Sequence, residues 1–187
     1  MPFAALAGVG RPHREELEDG IFHVYARGNA KQAIYLDDAD RQAYLRLLEL
    51  VVKKRRWRCL AYCLMQNHVH LLVETPEANL AAGMQALHGI YAQTFNQRHD
   101  RVGHLFQGRY GAVRITTDSQ LWAAARYLAL NPVAAGLCAK PAEWPWGSYA
   151  VVGFGAPAWL DHGRLLELFS GSGSEPHGRY LRFVEDE

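Results

Sequence analysis

The apolar-rich run Ile21-Phe22-His23-Val24-Tyr25-Ala26 reads as a strand, which Arg27-Gly28-Asn29 then breaks. Asp37 or Asp38 can cap a helix whose apolar Tyr44, Leu47, Leu48 and Val51 fall at helical spacing, ending in a basic run. Trp57 to Met65 and His68 to Thr75 predict two strands, joined by a short turn around Gln66-Asn67. Leu80, Met84, Leu87, Tyr91 and Phe95 repeat at three and four residues, so an amphipathic helix is expected from Asn79 to about Gln97. A polar, glycine-marked loop from Arg98 to Gly108 leads to a strand over Tyr110 to Ile115. Asp118 or Ser119 then caps a further helix, which should stop near Asn131 because the residue before Pro132 is pushed away from the α region.

The first six elements follow the βαββαβ order of an α+β, ferredoxin-like sandwich, an antiparallel sheet with helices on one face. Beyond Gly136 the Pro, Trp and Gly content rises, and Trp144, Trp146 and Tyr149 are expected to fold back onto the sheet. Residues 1–19 read as a flexible arm, 20–169 as a single domain and 170–187 as a flexible Ser/Gly-rich tail. No internal repeat is evident.

At 187 residues, 49% hydrophobic and 21% charged, the chain has the content of one globular domain. No stretch approaches the roughly 20 apolar residues that span a bilayer, and the N-terminus lacks a charged region ahead of its apolar part, so no membrane partner and a cytoplasmic location are expected. Three cysteines, an odd number, suit a reducing compartment. The net charge of +1 exerts no global pull on nucleic acid, but Lys53-Lys54-Arg55-Arg56-Trp57-Arg58 concentrates five positive charges around one aromatic.

Residues two apart on a strand share a face, so His68 and His70 project together and can hold one metal ion; two unrelated polar residues on a solvated face give the same spacing. On the third predicted helix, Leu121, Trp122, Ala125, Leu128 and Ala129 fill one arc, while Tyr127 and Asn131 lie one turn apart on the other side. A phenol with a pKa near 10 needs a metal-polarised phosphate or a base to attack a phosphodiester. Two neutral imidazoles and an amide oxygen would leave room for phosphate on an ion such as Mg²⁺ or Mn²⁺.

Met65-Gln66-Asn67-His68-Val69-His70-Leu71-Leu72, Gly103-His104-Leu105-Phe106-Gln107-Gly108-Arg109-Tyr110 and Arg126-Tyr127-Leu128-Ala129-Leu130-Asn131-Pro132-Val133 appear in that order. Together they resemble the single-tyrosine HUH transposases of the IS200-like superfamily, and especially the REP-associated tyrosine transposases. The likeness extends from Ile21 to Tyr149 and includes Tyr25-Ala26-Arg27-Gly28-Asn29 and Trp144-Pro145-Trp146-Gly147-Ser148-Tyr149. It implies a metal on His68 and His70 and a helix-borne nucleophile, Tyr127, which forms a 5′-phosphotyrosine bond and releases a 3′-hydroxyl. The third ligand is often a Gln one turn after the tyrosine; here that position is Asn131, the form that the REP-associated branch resembles.

The resemblance further implies a partner: palindromic repeats folded as hairpins in single-stranded DNA, met by a monomer or a homodimer. Candidate DNA contacts are Arg27, Asn29, Lys53, Lys54, Arg55, Arg56, Arg58, Arg101, Arg109 and Arg114. A charge run at a helix end also suits the helix dipole without any ligand. Two other readings compete: a hairpin-binding module without cleavage, and a structural zinc site on Cys59, Cys63, His68 and His70. In the latter, cysteines four apart on an extended strand would lie roughly 13 Å from one another.

Overall fold

The computed structural model describes residues 19–151, 155–169 and 175–186. Apart from Asp19, the arm expected at the N-terminus lies outside the described residues. Strand β1 (Gly20–Arg27) is followed by helix α1 (Asp38–Arg55), strands β2 (Arg58–Leu64) and β3 (His68–Thr75), helix α2 (Leu80–Arg98), strand β4 (Gly111–Ile115) and helices α3 (Asp118–Ala134), α4 (His162–Phe169) and α5 (Pro176–Glu185). The four strands form one sheet in the order β2-β3-β1-β4, and every pairing is antiparallel. This is the expected α+β, ferredoxin-like arrangement.

Strand alternation divides the sheet into two chemically different faces. Phe22, Val24 and Ala26 of β1 and Val69, Leu71 and Val73 of β3 share one core with Tyr44 and Leu48 of α1 and Leu87 and Tyr91 of α2. The opposite face buries Leu60, Cys63 and Leu72 against Leu121, Ala125 and Leu128 of α3 and residues of α4 and α5. Helices therefore cover both faces, not one, because the C-terminal third of the chain contributes a second apolar layer.

The helix ends report local chemistry. Asp37 caps α1 by accepting the Asp40 N–H, as its position predicts. For α3 the cap is Thr117, whose hydroxyl accepts the Gln120 N–H, instead of Asp118 or Ser119. Nor does α3 stop at Asn131: Pro132 lies inside its last turn, and the Ala135 N–H still reaches the Asn131 carbonyl at 3.0 Å. A proline this close to a C-terminus removes one hydrogen bond without a long downstream helix to disrupt.

Two segments close the structure. Trp144 to Tyr149 runs along β2: the Leu64 N–H donates to the Trp146 carbonyl at 2.9 Å, and the Tyr62 N–H donates to Ser148 Oγ at 3.0 Å. An otherwise open sheet edge is thereby covered. Residues 176–185, expected to be tail, form α5, with Tyr180 and Val184 buried. Spacing of apolar side chains at 180 and 184 puts them on one helical face, a signal masked by the Ser/Gly-rich stretch before it.

Candidate active site

Strand register assembles the site. In the β1–β3 ladder Tyr25 stands opposite His70 and Arg27 opposite His68, so these side chains share the α3 face with His23. His23 Nε2 lies 3.0 Å from His70 Nδ1. His68 Nδ1 lies 2.7 Å from Asn67 Oδ1, and Asn67 Nδ2 donates to the Lys31 carbonyl at 3.0 Å. That second bond fixes which end of the amide faces the ring: His68 must carry its proton on Nδ1, leaving the Nε2 lone pair available. Asn131 is within hydrogen-bonding reach of His68.

All three imidazoles are neutral at pH 7. Burial, aided by His23, His68 and Arg27, holds His70 well below its ordinary pKa. Burial and then Arg27 lower His68 against an opposing hydrogen bond to Asn131, and burial brings His23 to about 4. Neutral imidazole is the form that ligates metal.

Helix α3 carries Tyr127 to this face. Its ring meets His70 edge-on, with centroids 5.2 Å apart at 88°, and lies 5.8 Å from the His23 ring. An open cleft of about 540 Å³ is lined by Arg27, His68, Arg126, Tyr127 and Asn131. The small side chains of Ala123, Ala134 and Ala135 on the same wall leave it accessible.

The donor set fits a hard or borderline divalent ion. His70 is only 6% exposed, yet its Nε2 has no hydrogen-bond partner. A buried polar nitrogen left in this way costs free energy unless something occupies it. Two imidazole nitrogens and the Asn131 amide would supply three donors and leave positions for phosphate oxygens.

The zinc reading fails on geometry. A bulge between Cys59 and Ala61 reverses the alternation of β2, so Cys59 enters the α1/α2 core while Cys63 enters the α3 core. Burial pushes Cys63 up to about 12 and Cys59 higher still, keeping both as thiols. Among the described residues no three His, Cys, Asp or Glu side chains form a metal-ligating group.

The candidate DNA contacts scatter. Arg27 lines the cleft and Asn29 is exposed just beyond it. The basic run is remote: Arg58 pairs with Glu74, six residues along β3 from His68 and roughly 20 Å away at strand rise. Several of its charges are already engaged, Lys53 with Glu49, Arg56 with Glu77 and Arg58 with Glu74 and Asp161. Arg101 donates to Gln32 and lies over Phe95. Arg109 lines a separate groove along α2, and Arg114 reaches the Asp19 carbonyl.

Three residues at the site were not singled out from the sequence: His23, Asn67 and Arg126. His23 has the right strand parity, but only the β1–β3 register brings it to His70. Arg126 is held at the cleft by the Asp186 carbonyl and the Phe183 ring, contacts from a helix that sequence reading left out.

The motifs also meet in space. The Gly28 N–H donates to the Asn67 carbonyl, the Asn29 N–H to Leu105 and the Gln107 N–H to Arg27. Gly28 is required there, since a Cβ would sit 2.1 Å from the Gln32 carbonyl oxygen. Segments around 28, 67 and 106 thus form one backbone knot below the histidines.

A solved structure of a REP-associated tyrosine transposase bound to a REP hairpin is similar in fold, at 16% identity and a TM-score of 0.64, covering 81% of this chain and 90% of that one. A candidate transposase from Deinococcus radiodurans R1 aligns at 14% identity over 68% of this chain and 97% of its own, with a TM-score of 0.45. No curated protein sequence matches the chain. The family model for IS200-like transposases matches residues 17–131, a span that takes in both histidines, Tyr127 and Asn131. The chain belongs to the IS200-like transposase family.

Proposed function

We propose that this protein cleaves and rejoins single-stranded DNA at palindromic-repeat hairpins, in a metal-dependent reaction through a 5′-phosphotyrosine intermediate. The observation that carries the reading is the convergence of Tyr127, His68 and Asn131 on one cleft beside Arg27, with the buried His70 ring directly behind, 5.2 Å from the Tyr127 ring and 5.1 Å from that of His68. The hairpin bound in the similar solved structure supports the choice of substrate.

In the cleavage step the Tyr127 oxygen bonds to the scissile phosphorus and the bond from phosphorus to the 3′ oxygen breaks. The phenol gives up its proton, and the departing oxygen takes one up as a 3′-hydroxyl. Strand transfer is the same exchange run backwards with a different 3′-hydroxyl. His68, His70 and Asn131 would hold Mg²⁺ or Mn²⁺, which when bound polarises the phosphate. Arg27, opposite His68 in the ladder, supplies positive charge to draw the phosphate in. Incubating the protein with Mn²⁺ and a single-stranded hairpin should yield a nicked strand, and the fully paired duplex should be spared. Equal cutting of both substrates contradicts the proposal.

A further inference from the structure

We infer that His23 is a positioning residue: it holds His70 in the tautomer protonated on Nδ1, so that the Nε2 lone pair faces away from His23 and is ready for a divalent cation. The inference rests on the metal site proposed above, and deepens it.

Either nitrogen could own the proton in the 3.0 Å contact between His23 Nε2 and His70 Nδ1. If His23 donates, His70 carries its own proton on Nε2 and has no lone pair there to offer a cation. If His70 donates, its Nε2, which is buried and has no hydrogen-bond partner, presents a lone pair that a divalent cation can take. The neighbouring ligand follows the same plan: Asn67 accepts from His68 Nδ1 and frees its Nε2. Both imidazoles would then offer the same nitrogen, each held from behind by one acceptor. The His68 and His70 rings lie 5.1 Å apart at 86°, so small rotations of either would alter how their lone pairs converge. Outer partners that fix ring orientation and tautomer commonly change metal affinity 10- to 100-fold when removed, a roughly known range.

His23 also packs: it is 3% exposed and touches the Tyr127 and Tyr25 rings. The test must separate orientation from bulk. Long-range ¹H–¹⁵N correlation spectra of the metal-free protein at pH 7.5 report the His70 tautomer directly. We expect protonated Nδ1 in the wild type; protonation on Nε2 overturns the inference whatever the variants do. In parallel, Mn²⁺ affinity is measured for His23→Gln, whose amide oxygen can accept, and for His23→Leu, which fills space without accepting. The expectation is a loss of roughly tenfold or more in His23→Leu, with recovery in His23→Gln. Equal affinity in both and in the wild type overturns it. A wild-type protein that shows the expected tautomer but binds no Mn²⁺ removes the metal site and leaves the role of His23 in fixing the tautomer intact. Should His23→Leu fail to fold, the wild-type spectrum decides alone.

Discussion

The Tyr127 ring meets the His70 ring edge-on, 5.2 Å between centroids at 88°. This contact depends on the aromatic ring, not on the hydroxyl. Tyr127→Phe should therefore keep its thermal stability within about 0.5 kcal/mol of wild type and bind hairpin DNA normally. A large drop in melting temperature or in hairpin affinity would mean that the hydroxyl serves the fold or binding.

Replacing the metal-side histidines acts on chemistry. His68→Ala and His70→Ala should each lower cleavage by roughly two orders of magnitude or more, with hairpin binding largely retained, because the ion acts at the scissile phosphate. Gel-shift and nicking assays on the same samples separate the two effects. Near-normal cleavage by both variants in Mg²⁺ or Mn²⁺ contradicts the assignment.

The order of elements and the shared face of His68 and His70 were legible because period-two and period-3.6 patterns are strong over residues 21–128. What was not legible depended on register or on tertiary contact. The bulge at Cys59/Ala61 sends two cysteines to opposite faces, and no local signal marks it. The basic run at Lys53 was legible as a charge cluster, but its separation from His68 by the length of β3 was not. Helix α5 was lost behind a Ser/Gly-rich stretch, and with it the anchor of Arg126.

Helix α5 accordingly offers a stability test. Tyr180 is buried against Tyr149, His162 and Phe169. Tyr180→Ala should cost about 3–5 kcal/mol, the usual range for emptying an aromatic site in a core. A denaturant midpoint unchanged from wild type would show that the helix contributes little.

His88 provides a pH test away from the cleft. Its ring stacks on Phe106 at 4.3 Å and shares a hydrogen bond with Tyr44, and burial lowers its pKa to about 3. Below about pH 6.5 the unfolded chain takes up a proton at this position that the folded chain refuses. Stability should fall as pH drops from 6.5 towards 3, by up to about 1.4 kcal/mol per pH unit from this group. His88→Gln, which can keep the bond to Tyr44, should flatten the slope by that amount. An unchanged slope contradicts the assignment of a neutral, half-buried His88.

The nucleophile is the central claim, and geometry sharpens the choice among nine tyrosines. Tyr110, which ends the motif that begins at Gly103, packs against the α1/α2 core, on the other side of the sheet from His70. Tyr25 is the closer rival: it shares the histidine face, is 37% exposed and lies 6.3 Å from the His70 ring. Its ring leans over Gly111 on β4, where a Cβ would meet Tyr25 Cζ at 2.3 Å, and so away from β3. Mass spectrometry of the covalent adduct formed with a hairpin oligonucleotide and Mn²⁺ tests all three at once. A 5′-phosphate-linked nucleotide is expected on Tyr127 alone, absent in Tyr127→Phe and present in Tyr25→Phe and Tyr110→Phe. An adduct on Tyr25 or Tyr110 that survives in Tyr127→Phe would contradict that assignment.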